Sequence, residues 1–375
     1  MCLFNNSFYL YNYIEVAICP NNNAIEIYDT SSWNKLFTLQ EHDLIISSID
    51  WSAANNKIVS CSHDRNAFVW TFEEATADEP AKWRHALCLI RIDRAAMSVK
   101  WDSDGLRFAV GSASKCVPVC TYDESGDWWV SKMIKKKIKS TVTCVSFHPT
   151  NGQVLATGST DFKCRVFSTY SADVDGSDAS DVVSKPFRKP VEFGEMYCEL
   201  SATSWINAVA WSPSGNVLAY ASHDSCISFA TFTTGDPVVQ SIRFGDLPLM
   251  SLMFVAEQAL VGAGHEFNPT MYTCEDGKWA FKKKIDEKKT ATASAATGVT
   301  AARALFQNKT ARGQEKVSDS DTLWTKHENT ITAMSDASPA GTVGPMRKLC
   351  TSSLDGRLVT WDLTTIDVQL ASLHL

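Results

Sequence analysis

The sequence predicts an all-β chain whose 375 residues form one domain, 1–375, of seven small sheets set radially as the blades of a propeller. Three observations carry the prediction. A polar turn residue is followed six positions later by a large or aromatic residue, repeatedly along the chain. The shortest spacing between such turns, 42 residues, occurs twice. The segments around the turns alternate apolar and polar residues with the two-residue period of a strand.

The units follow in order. Asp64 leads to Trp70 in DRNAFVW, Asp161 to Phe167 in DFKCRVF, and Asp355 to Trp361 in DGRLVTW. Asn22 to Tyr28 and Glu266 to Tyr272 are looser copies, and Ser114 to Cys120 and Asp224 to Ala230 match by position alone. Successive anchors lie 42, 50, 47, 63, 42 and 89 residues apart, so the two longest intervals carry insertions. A period of about 40 to 45 residues with several short strands per unit is that of propeller blades. Within a unit, a first strand ends near an aromatic (ISSIDW, MSVKW, VTCVSF, INAVAW). A second strand rich in small residues (KIVSCS, RFAVGS, VLATGS, VLAYAS) suits the crowded inner part of a blade. The third strand follows the Asp turn, and the fourth is more variable, as in WWVSKMI, Trp128 to Ile134.

Composition narrows the function classes. With 45% hydrophobic and 21% charged residues the chain can bury a large core. A net charge of −7 argues against a general nucleic-acid binder, because counterion release rewards a basic face. The twelve cysteines form no CxxC pair and no zinc-ligand spacing, and read as buried, reduced thiols. The start MCLFNNSFYLYNYIEVAIC lacks the basic flank of a signal peptide, and no apolar run has the roughly 18 to 20 residues that span a bilayer. A cytoplasmic protein without membrane insertion is expected.

The His-Asp pair of His63-Asp64 recurs as His223-Asp224. A catalytic or metal site needs unlike groups converging at one place, whereas these pairs fall at equivalent corners of separate blades. They read as turn-formers. There is no GxSxG or HExxH, and GAGH at Gly262 to His265 is neither a dinucleotide fingerprint nor a P-loop. No catalytic residue, metal or cofactor is expected.

Function is sought where the repeat breaks. SKMIKKKIKS, Ser131 to Ser140, reads as a lysine-rich fourth strand whose Lys135, Lys136, Lys137 and Lys139 make a local positive patch beside Trp128-Trp129. The insertion 171–192 reads as an exposed acidic loop. A longer insertion, 286–325, contains GVTAARALFQN, a candidate short helix near 300–308 that would fold against a partner groove. Ring closure falls either to FYLY, Phe8 to Tyr11, or to the C-terminal QLASLHL.

The chain resembles the WD-repeat propeller family: it keeps one Trp-Asp dipeptide, Trp361-Asp362, and a His before the first strand of two units, His42 and His327. The resemblance implies buried polar networks of His42, Ser60, Asp64 and Trp70 in one blade and His327, Thr351, Asp355 and Trp361 in another. Asp161 and Asp224 hold the corresponding turn in two more. A closer resemblance lies in DWWVSKMIKKKIKSTVTCVSFHP, STDFKCRVFSTY, HDRNAFVW and the insert ending FQN, which are similar to subunit 1 of the actin-related protein 2/3 complex. It implies a non-enzymatic member of an assembly that nucleates branched actin filaments, in the cytoplasm at the actin cytoskeleton. Its partners would be the other subunits of the complex, the actin filament and the acidic tails of nucleation-promoting factors. The insert helix would contact its partner through Arg303, Leu305, Phe306 and Asn308, and the acidic tail would bind at Lys135, Lys136, Lys137 and Lys139. A generic WD-repeat adaptor for peptides and a propeller enzyme are the alternatives.

Overall fold

A computed structural model describes residues 8–11, 15–76, 79–176, 187, 192–232, 236–287, 324–338 and 344–364. Seven antiparallel sheets follow one another along the chain, in blades 1 to 7, at 8–40, 46–88, 96–134, 142–201, 206–243, 249–284 and 331–362. Six have four strands in chain order, and the seventh has three among the described residues. Strand formation follows the pattern of β-branched and aromatic residues, and polar turns end each strand.

The repeat seen in sequence is a register. The residue six positions after each anchor pairs with an apolar residue of the second strand, as Ile58 with Trp70, Leu155 with Phe167 and Leu349 with Trp361. The two units that matched by position alone pair identically, Phe108 with Cys120 and Leu218 with Ala230. One residue of slip would turn every core side chain to the wrong face, so this shared register is what the alternation selects.

Among the described residues there is no single core. Apolar clusters fill the wedges between neighbouring blades, and the largest fully buried side chains, such as Trp51, Phe108, Tyr220 and Tyr272, lie in them. Each such side chain contributes about 1.5 to 3 kcal/mol. The wedge that closes the ring is the smallest described. In it Val16 of blade 1 packs with Ala337 and Cys350 of blade 7. Phe8–Tyr11 is the innermost strand of blade 1, paired with Glu15–Ile18; the other candidate for ring closure, QLASLHL, lies outside the described residues.

One expectation is corrected. The fourth strand of blade 3 ends at Ile134, so Lys135, Lys136, Lys137 and Lys139 stand on the connection to blade 4 and not on an edge strand. Ile138 between them is buried in the wedge of blades 3 and 4 and pins that connection down. The aromatic pair beside it divides, with Trp128 exposed and Trp129 in the core. Of the segment expected as an exposed loop at 171–192, residues 171–176, 187 and 192 are described. It starts with the short helix Ala172–Asp175, and Phe187 is buried against Tyr197, Trp211 and Phe232. The candidate helix near 300–308 lies outside the described residues.

Candidate partner-binding surface

The turns between second and third strands share one end of the ring with the connections between blades. In blades 2 to 7 an amide in that turn donates to a carbonyl just ahead of the same blade's first strand, as His63 to Ile45, Thr160 to Thr141 and Leu354 to Thr330. This turn face carries most of the residues singled out from sequence.

In blade 2 the structure brings His42, Ser60, Asp64 and Trp70 into one chain of hydrogen bonds. Trp70 Nε1 donates to Ser60 Oγ at 2.9 Å, Ser60 Oγ lies 2.8 Å from His42 Nε2, and His42 Nδ1 lies 2.7 Å from Asp64. An indole N–H only donates and an ionised carboxylate only accepts, so in the neutral form of His42 the proton sits on Nδ1 and the Ser60 hydroxyl donates to Nε2. Burial opposes ionisation of Asp64, yet the bond from His42 and the amides of Asn66 and Asp43 hold its carboxyl below the ordinary value. Blade 7 repeats the arrangement. Trp361 Nε1 donates to Thr351 at 2.9 Å, and His327 lies 2.7 Å from Thr351 and 3.3 Å from Asp355. Burial lowers the His327 pKa despite the nearby Asp355 carboxylate.

Other blades hold the same turn by other means. Asp161 has no histidine and is bound by the buried Arg165 at 2.9 Å, which also bonds Glu199 at 2.8 Å. Asp224 accepts from Ser222 at 2.5 Å and from Thr203. The second His-Asp pair is therefore split in use: Asp224 ties the turn, while His223 bonds Asn207 at 3.3 Å. Sequence reasoning missed Arg165; its signal was a charged residue at an inward-facing position of an otherwise apolar strand.

It also missed an ion cluster on blade 3. Arg107, 3% exposed, bonds Asp102 at 3.1 Å, the carbonyl of Thr169 at 3.0 Å, and Asp175 at the end of the short helix. Lys132 adds a bond to Asp173 at 3.0 Å. His148 is buried with Nε2 unpartnered beside Gly215, and burial pulls its pKa down to about 4. No local pattern marks either site, because the partners come from different blades.

Lys135, Lys136, Lys137 and Lys139 are exposed and make no ion pair among the described residues. Arg303, Leu305, Phe306 and Asn308 lie outside those residues. The central channel, about 560 Å³, is lined by inner-strand residues such as Ser48, Ser98, Thr143 and Asn207. Its Lys100 is bound to Asp50 at 2.7 Å. Among the described residues no group of three or more His, Cys, Asp or Glu is placed to hold a metal, and no helix is long and apolar enough to cross a membrane.

Seven blades in one register with Trp–Ser/Thr–His–Asp chains define a WD-repeat propeller, and the chain matches the WD domain, G-beta repeat family over residues 33–71, 133–168 and 194–229. It is 40% identical over 364 residues to "Actin-related protein 2/3 complex subunit 1B" of Arabidopsis thaliana, covering 95% of this chain and 93% of that protein. It is 38% identical to subunit 1A-B of Xenopus laevis (96% and 94% covered) and 34% identical to subunit 1 of Schizosaccharomyces pombe (93% and 94%). The chain belongs to the actin-related protein 2/3 complex subunit 1 family.

Proposed function

We propose that the chain is a non-catalytic, scaffolding subunit of an actin-related protein 2/3 complex, contacting actin-like chains during nucleation of branched filaments. The observation that carries the reading is similarity along nearly the whole chain to subunits so named in a plant, a frog and a fission yeast. The polar clusters support it: the His-Asp chains are bonded end to end within their blades, which suits scaffolding. The other subunits, the actin filament and the acidic tails of nucleation-promoting factors are its partners, in the cytoplasm. No nucleic acid, membrane insertion, cofactor or metal enters this reading.

Within it, Lys135, Lys136, Lys137 and Lys139 form the acidic-tail site. Their exposure, and the lack of an ion pair to any of them among the described residues, support the assignment. Arg303, Leu305, Phe306 and Asn308 form the contact of the long insertion. Affinity purification of the tagged chain from its own cells should yield actin-like chains in stoichiometric amount; a lone monomer would refute the proposal. In that assembly, Phe306→Ala should leave composition unchanged and reduce branch formation. Reversing Lys135, Lys136 and Lys137 to Glu should weaken acidic-tail binding about tenfold at low salt, and less as salt screens the charges.

A further inference from the structure

The long insertion departs after blade 6 and returns ahead of blade 7, and the chain is described as far as Glu287 on the departing stem and from Trp324 on the returning one. Other connections between blades are as short as 41–45 and 202–205, whereas this one runs from 285 to 330. An insertion joined to a ring only through its two covalent links has no fixed bearing. Here both stems are held by side chains.

Asn268, 2% exposed, lies in the turn between second and third strands of blade 6 and holds Asp286 at both main-chain groups. Its Nδ2 donates to the Asp286 carbonyl at 2.9 Å, and its Oδ1 accepts from the Asp286 amide at 3.0 Å. The Asp286 carboxylate in turn accepts from the Lys326 amide at 2.7 Å, which joins one stem to the other. The returning stem is tied to blade 7. The Lys326 carbonyl accepts from Arg357 at 3.0 Å, and the Lys326 ammonium lies 4.3 Å over the ring of Trp361. Two residues on, the Glu328 amide donates to Asp355 at 2.8 Å. Trp361 and Asp355 belong to the polar chain of blade 7, so the stem is continuous with it. Asn268 and Arg357 both come from turns between second and third strands, which puts the exit point on the turn face.

We propose that Asn268, Asp286, Lys326 and Arg357 form a clasp that sets the bearing of the long insertion on the turn face, with Asn268 and Asp286 as positioning residues for its partner contact. This rests on the assignment of Arg303, Leu305, Phe306 and Asn308 as that contact, and adds the device that presents it. Fixing both stems at one point reduces the conformational entropy lost when the contact forms, so opening the clasp weakens the contact. Asp286 is half-buried and Lys326 exposed, so the bond between them can be removed without opening a wedge between blades.

The test counts the branches that purified complex carrying the variant chain forms on actin filaments viewed by fluorescence microscopy. Asp286→Ala and Asn268→Ala should each lower the branch number about threefold, the loss of one ordering constraint, with the composition of the complex unchanged. A merely structural role would not respond to a cross-link, so the deciding variant combines Asp286→Cys with Lys326→Cys. Two positions joined by one side-chain-to-amide bond are within the span of a disulfide. The reduced protein should branch like Asp286→Ala, and the same protein oxidised should branch like the parent treated alike. Equal branch numbers in the two forms, or a pair that does not oxidise, would overturn the inference. Phe306→Ala separates the clasp from the reading beneath it. If Phe306→Ala lowers branching while Asp286→Ala and the cysteine pair match the parent, the clasp fails and the contact stands. If Phe306→Ala branches as the parent does, the contact assignment fails and the clasp with it.

Discussion

Ser60→Ala tests the polar chain that holds blade 2 together. Ser60 is fully buried, and its hydroxyl is the one group that satisfies both Trp70 Nε1, at 2.9 Å, and His42 Nε2, at 2.8 Å. Removing it leaves a buried donor and a buried acceptor, neither within reach of water, since Trp70 and His42 are each 2% exposed. An unsatisfied buried group costs about 1 to 3 kcal/mol, so the pair predicts a loss of about 2 to 6 kcal/mol. Ser60→Thr keeps the hydroxyl and should cost less than about 1.5 kcal/mol, the added methyl being the remaining perturbation. Equilibrium urea unfolding of the full chain, followed by tryptophan fluorescence and by circular dichroism, measures both. Thr351→Val is the same experiment in blade 7, nearly isosteric, and should give a loss of the same order. A Ser60→Ala protein within about 0.5 kcal/mol of the parent would refute the reasoning, because it would mean that water or rearrangement satisfies both groups.

Two further predictions concern groups the repeat does not announce. Asp175→Ala leaves the buried Arg107 with only Asp102 and one carbonyl, and should cost about 3 kcal/mol; the double variant with Arg107→Met should recover part of it. A neutral Asp175→Ala would show by urea unfolding that the short helix is not fastened to blade 3. His148, with its pKa drawn down to about 4, favours the folded state fully above its unfolded value of about 6.5, and that contribution is lost as pH falls. Stability should therefore decline between about pH 6.5 and 4, by up to about 3 kcal/mol from this group. Urea midpoints measured across that range should show a shallower decline in His148→Phe; an identical slope would discard the assignment.

Much of the fold was legible because it repeats. Strand order and register are short-range properties: the anchor and the residue six positions on lie in one hairpin, and seven copies average out weak matches such as Ser114 to Cys120. The His42 and His327 chains were legible for the same reason, since each lies within a single blade. The lysine connection was legible in composition but misplaced on a strand, because Ile134 and Ile138 both read as apolar strand positions and only the blade wedge distinguishes them. The buried Arg107 and His148 were not legible, because Asp175 and Gly215 reach them from distant points of the chain.

By itself, then, the sequence determined an all-β ring of seven blades, its polar turns and its likeness to a family of complex subunits. The tertiary structure decided which of those turns lie side by side. Recurring local hydrogen bonding can be read from spacing along the chain. Neighbourhood around a ring cannot, because radial packing joins residues from separate blades, and that packing sets Asn268, Asp286, Lys326 and Arg357 at one point of the turn face.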